Sequence, residues 1–183
     1  MDKETEKSAL LVMDVQPGIV ERLPNKDEYI ARITAAVDFA HKKQIPVIYV
    51  VVGFRAGFPE VSSRNKSFGA IKENAPLPMI DPKPAIAPAE GDIVVTKRRV
   101  SAFTGSDLEV VLRGKDIGHL VLTGIATSGV VLSTVREAAD KDYQLTVLSD
   151  LCADFDAEVH SVLINKVFPR QAAVLTSEEW ARV

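Results

Sequence analysis

The chain alternates short, continuously apolar runs with longer segments in which apolar residues recur every three or four positions. "SALLVMDV" (Ser8 to Val15) is apolar until Asp14, the pattern of a strand buried on both faces. Residues 28–43 carry Ile30, Ile33, Val37 and Ala40 on one helical face. "IPVIYVVVG" (Ile45 to Gly53) is a second, β-branched strand. A third, "DIVVTKRRV" (Asp92 to Val100), carries Lys97 near its end. The helix after it is expected to open with Ser106 and Glu109 as a capping box and to stop at Gly114. "HLVLTGI" is strand four, and the next helix places Val131, Val135 and Ala138 toward the sheet. Gln144 to Asp150 forms strand five, Asp156 to Val167 a helix, and "AAVLT" strand six. A terminal helical turn is expected from Ser177, before "EEW".

Strand alternating with helix six times requires parallel strands joined by right-handed crossovers, with helices on both faces. The expected fold is α/β: a three-layer α/β/α, doubly wound, Rossmann-like domain with a six-stranded parallel sheet. Its length of 183 residues and hydrophobic share of 46% suit one domain over 1–183. The period breaks once, over the proline-rich stretch 54–91. There Pro59, Pro76, Pro78, Pro82, Pro84 and Pro88 forbid long regular elements. A loop of this length is read as a lid, a binding loop or an interface arm, against the alternative of a plain surface excursion.

A net charge of -3 without long runs of one sign offers no footprint for nucleic acid or an anionic membrane, which leaves a small-molecule substrate. No apolar stretch is long enough to span a bilayer, and "MDKETEKSALL" has no signal-peptide pattern, so the protein is expected to be cytoplasmic. Cys152 alone excludes an internal disulfide. His41, His119 and His160 lack ligand spacing, so neither a metal nor another cofactor is expected.

In such sheets, polar groups at the carboxyl ends of the strands converge on one crevice. Asp14, Lys97, Thr127, Ser128, Asp150 and Cys152 all fall there. A buried cation beside a carboxylate tunes its protonation and stabilises an oxyanion, which favours Asp14 and Lys97 as a catalytic pair. Their structural alternatives are a loop cap and a solvated strand end. Arg98 or Arg99 could hold a substrate carboxylate through a bidentate fork. Gln16, Phe54, Arg98 and Phe103 are the candidate substrate-binding residues. The backbone of "TGIATSG", from Ile125 and Ala126 through Thr127, Ser128 and Gly129, could form an oxyanion or anion cradle at a helix start. Alternatively, Gly124 and Gly129 only permit a tight turn. Cys152 is either an alternative thiol nucleophile or a small buried hydrophobe.

Three blocks, "LLVMDVQPGIV", "VVTKRRVSAFTGSDLEVVLR" and "LVLTGIATSGVVLSTVREAADKDYQLTVLSD", together make the sequence resemble the isochorismatase-like hydrolases, or cysteine hydrolases, over nearly its whole length. The resemblance implies the fold above and a triad of aspartate, lysine and cysteine. The aspartate falls on Asp14 and the lysine on Lys97, whereas the nucleophile position falls on Val130. Valine cannot attack a carbonyl. A non-proline cis peptide is implied at Ile125–Ala126. The metal ligands of nicotinamidases have no counterpart around "VVGFRAGFPE", while isochorismatases cleave a vinyl ether without a cysteine, by acid catalysis and water attack. The implied activity is hydrolysis of a vinyl ether, amide or ester bond in a small polar metabolite, by water attack assisted by Asp14 and Lys97. A homodimer or homotetramer is implied too. The alternative is a catalytically inactive member that binds a metabolite or serves in an assembly.

Overall fold

A computed structural model of the chain describes residues 6–74, 80 and 82–183. Six parallel strands form one sheet: β1 (Lys7–Met13), β2 (Val47–Val52), β3 (Ile93–Lys97), β4 (Ile117–Ile125), β5 (Gln144–Ala153) and β6 (Ala173–Leu175). Their spatial order is β3-β2-β1-β4-β5-β6. Both expected features, the doubly wound topology and helices on both faces, are present.

Alternation along β1 shows how the layers form. Ala9, Leu11 and Met13 enter one core, and Leu10 and Val12 enter the other. A strand with two apolar faces needs cover on both. The first core is closed by Leu108 and Leu112 of α4 (Leu108–Gly114) and by Val135 and Ala138 of α5 (Leu132–Asp140). Opposite, Tyr29, Ile33, Val37 and Ala40 of α2 (Lys26–Lys42) and Trp180 of α7 (Ser177–Trp180) cover Leu10, Val12 and Tyr49. Each fully buried aliphatic side chain contributes roughly 1.5–3 kcal/mol.

Several element ends differ from the sequence expectation. β1 stops at Met13 because Asp14 takes a positive φ of 55°, and Pro17 then opens the short helix α1 (Pro17–Val20). Within 54–91, α3 (Lys66–Asn74) forms ahead of the later prolines, so the stretch is not wholly irregular. Residues 1–5, 75–79 and 81, which include Pro76, Pro78 and most of the acidic start, lie outside the described residues. A third apolar cluster, Val52, Phe54, Phe58, Val61 and Phe68, anchors this covering segment.

The capping box at α4 does not form. Ser106 Oγ accepts from the Leu108 N–H at 3.2 Å, while Glu109 pairs with Arg113 and Lys141 at 2.8 and 2.7 Å. The helix begins one residue later than expected, with Asp107 at its N-cap, so Glu109 is the second helical residue and is free to pair with these cations. β5 runs on to Ala153, which puts Cys152 inside the strand. The helix expected over 156–167 is α6 (Ala157–Val162), capped by Asp156, followed by a π-helical turn at Leu163–Val167. At α7 it is Thr176, with Glu179, that closes a capping box.

β1 and β4 approach most closely where the site begins. Gly124 has φ +145°, and a Cβ there would lie 2.2 Å from the Met13 carbonyl oxygen. We expect Gly124→Ala to destabilise the fold by roughly 3 kcal/mol or more, since it combines a forbidden backbone region with a backbone overlap. Urea unfolding followed by circular dichroism measures this. A loss below roughly 1 kcal/mol would contradict the close approach.

Candidate active site

The positive φ at Asp14 turns its side chain out of the strand pattern while its N–H still donates to the Val50 carbonyl at 2.8 Å. Aspartate tolerates this region better than most residues. Lys97 ends β3, and its side chain crosses the end of β2 to reach Asp14, with Nζ 3.0 Å from Oδ2. Lys97 Nζ also donates to the Arg99 and Val100 carbonyls at 2.8 and 3.1 Å, so all three ammonium hydrogens have partners.

Both groups are buried, Lys97 being 2% exposed and Asp14 7%. Burial raises the Asp14 carboxyl to about 6, against the charge and hydrogen bond of Lys97, which pull it down. Burial likewise pushes the Lys97 ammonium below its ordinary range, and Asp14 opposes that shift. Asp14 Oδ1 is buried with no hydrogen-bond partner among the described residues. A carboxyl poised near neutrality, with one free oxygen and a fixed cation on the other, is equipped for proton transfer.

The other sequence candidates are only partly gathered here. Gln16 clasps the end of β2, donating Nε2 to the Val52 carbonyl at 3.2 Å and accepting the Val52 N–H at 2.8 Å. Its amide is thereby committed to backbone. Phe54 is buried against Phe58 and Phe68, with ring centroids 5.3 and 5.7 Å away. Arg98 donates to the Gly53 carbonyl and pairs with Glu60. Arg99 donates to the Arg98 and Glu60 carbonyls at 2.6 and 2.7 Å. Phe103 packs on Tyr143, which precedes β5, so it lies toward the amino ends of the strands, away from Asp14. Of the four candidate substrate-binding residues, Gln16 and Arg98 are thus bonded to neighbouring backbone or to Glu60, and Phe54 and Phe103 are packed against other rings. Arg98 and Arg99 lie in the short polar turn after β3 and help to satisfy backbone groups there and at Gly53, while Phe54 and Phe103 follow the apolar clusters that they join.

After β4, the Ile125–Ala126 peptide is cis. Thr127–Val131 then forms a π-helical turn in which the Ala126 carbonyl accepts from Gly129 N at 3.1 Å and Val131 N at 3.3 Å. The Ser128 N–H donates to Asp154 Oδ2 at 2.7 Å. Two of the amides expected to cradle an anion, those of Ser128 and Gly129, are thus already engaged. Thr127 Oγ1 is fully buried and shares a 2.8 Å hydrogen bond with His160 Nδ1. Val130 is buried in the first core. The contacts of Asp154 with Ser128, His160 with Thr127 and Glu60 with Arg98 and Arg99 escaped the sequence reading because the partners are remote in sequence and no spacing marks them.

Neither strand-five candidate joins the pair. Asp150 accepts from Arg32 Nη2, Ser177 N and Ser177 Oγ at 2.6, 2.7 and 2.7 Å, which ties α2 and α7 together. The Cys152 thiol is buried beside the Leu122 carbonyl, and burial pushes it up to about 12. A thiol held protonated is a poor nucleophile. A groove of about 850 Å³ borders Phe68, Arg99, Val100, Leu132 and Arg136, yet neither Asp14 nor Lys97 lines it. No three His, Cys, Asp or Glu side chains gather as a metal site among the described residues. Nor is any described helix long and apolar enough to cross a membrane.

Comparison with known proteins places this geometry among relatives. The Isochorismatase domain family matches residues 8–179. An isochorismatase family protein of Bacillus subtilis, YwoC, is 33% identical over 177 residues, covering 96% of this chain and 93% of its own. A probable isochorismatase of Pseudomonas chlororaphis is 32% identical over 96% of this chain and 86% of its own. The solved structure of an isochorismatase family protein from Burkholderia thailandensis superimposes with a TM-score of 0.82 at 31% identity, over 96% of this chain and 95% of that one.

Two measurements check the site. In a carbon-13 titration of the folded protein, Asp14 should show its midpoint at about 6, against an ordinary 3.8. In Lys97→Met it should rise further, because both lowering influences come from Lys97. An Asp14 midpoint near 4 in the native chain would contradict the buried pair. Cys152 should resist alkylation in the folded protein and react fully in urea. Rapid native labelling would show an accessible thiol instead.

Proposed function

This chain belongs to the isochorismatase family, and we propose that it is a hydrolase that acts on a small polar metabolite by Asp14-assisted water attack, without a cysteine nucleophile. The observation that carries this reading is the sealed Asp14–Lys97 pair with its unpartnered Asp14 oxygen. Val130 occupies the position that the family resemblance gives to the nucleophile, and it supplies only apolar packing. The bond cleaved is a vinyl ether, an amide or an ester.

As a general acid, protonated Asp14 gives its proton to the bond under attack. Water adds to the electron-poor carbon so formed, and a proton from that water restores the carboxyl. The neutral adduct then collapses: its hydroxyl proton passes to the oxygen or nitrogen that leaves as an alcohol or amine, and the carbon becomes a carbonyl. Lys97 keeps its charge beside the carboxylate and limits the cost of ionising it in a buried place. The amides of Ala126, Thr127 and Val130 are the donors of the turn proposed to receive developing negative charge. Ser128 and Gly129 are omitted because their N–H groups are engaged.

Vinyl ethers, amides and esters offered to the native protein and to Asp14→Asn test this reading. Turnover should fall about 100-fold or more in the variant, the scale of a lost general acid or base. A native pH profile that declines above about 6 marks Asp14 as the acid, since the carboxyl has then lost its proton; a decline below that value marks it as the base. Turnover equal in the two proteins would remove Asp14 from the chemistry. A ligand that raises the melting temperature but is never converted would favour an inactive, metabolite-binding member instead.

A further inference from the structure

Glu60 lies in the covering segment, outside every motif that marked the site. Its Oε1 accepts from the Arg55 N–H at 3.1 Å and Arg55 Nη1 at 3.2 Å, and stands 3.6 Å from Arg98 Nε. The Glu60 carbonyl accepts from Arg99 Nη2 at 2.7 Å. One residue therefore holds both arginines of the turn that follows Lys97, one through its side chain and one through its backbone.

That turn matters because two of the three acceptors of Lys97 are its Arg99 and Val100 carbonyls. Arg98 further ties the turn to the Gly53 carbonyl, and Gly53 N donates to the Lys97 carbonyl at 3.2 Å. We infer that Glu60 is a positioning residue for the Asp14–Lys97 pair, acting through Arg98 and Arg99 to aim two carbonyls at the Lys97 ammonium.

The charges explain why a carboxylate is needed there. Arg55, Arg98 and Arg99 converge on one small turn, and without an anion between them they would repel and splay it. Burial works to raise the Glu60 carboxyl, but the backbone N–H groups of Glu60 and Arg55 and the charges of Arg55 and Arg98 hold it below its ordinary range. It stays ionised although its Oε2 is buried with no hydrogen-bond partner among the described residues. Lys97 is the charged group that faces Asp14, so a loosened turn is felt at Asp14 through the ammonium.

The inference rests on Asp14 and Lys97 being the working pair, but its readout is Asp14 titration, which does not depend on turnover. The experiment is a carbon-13 titration of Asp14 in the full chain carrying Glu60→Gln, a substitution that preserves size and the backbone carbonyl. The midpoint should rise by about one pH unit, toward its value in Lys97→Met, as the ammonium loses its fixed place. A midpoint unchanged in a folded Glu60→Gln protein would overturn the proposal. Arg98→Gln breaks the same contact from the other side and should give a rise of the same sign, with no further rise in the double variant. An additive rise would mean that the two residues act separately. If Glu60→Gln unfolds, Arg98→Gln alone decides. Unfolding of both would make Glu60 a general brace and also overturn the positioning role.

Discussion

The ion pair of Asp14 and Lys97 is the constraint around which the carboxyl edge of the sheet is arranged. One strand, β2, separates its members both in the chain and in space, so only a long side chain can join them. An ammonium taken out of water needs every hydrogen satisfied, and this one finds a carboxylate and two carbonyls. Those requirements fix the register of β3 against β2, the bend at Asp14 and the path of the chain after Lys97. The clasp of Gln16 on Val52 secures the intervening strand.

The second half of the site is built on different terms. At the start of the helix after β4, backbone N–H groups point outward with their positive ends unbalanced. Asp154 accepts one of them from the neighbouring strand end, and the wide turn at Thr127–Val131 closes others on the Ala126 carbonyl. Much of the electrostatic demand of this helix start is thus met within the protein.

How much of this was legible depended on whether the signal was local. Strands such as β1 and β2 showed themselves because both faces are apolar, and the polar ends of β1 and β3 drew attention to Asp14 and Lys97. Lys97 in particular reads as an ordinary exposed lysine until its neighbours are known. Phe54 and Phe103 pack into apolar clusters, because an aromatic side chain follows the cluster that it can join, and no local pattern tells which cluster that is. The Ser106 and Glu109 spacing suggested a cap, but the N-cap falls one residue later at Asp107, and Glu109 pairs with Arg113 four residues on and with the remote Lys141. The roles of Glu60, Asp154 and His160 could not be read locally for a related reason: each has a partner more than 20 residues away, Arg99, Ser128 and Thr127 in turn.

The contact of Gly124 with the Met13 carbonyl also bears on dynamics. Met13 precedes Asp14, and Gly124 precedes the cis peptide, so the two halves of the site are pinned to each other one residue upstream, backbone against backbone. Side chains change rotamer in nanoseconds, but two central strands of a packed sheet do not slide past each other on that timescale. Thermal breathing therefore leaves the separation between Asp14 and the turn after β4 nearly constant. Motion at this edge is left to side chains, not to the two strands that frame it.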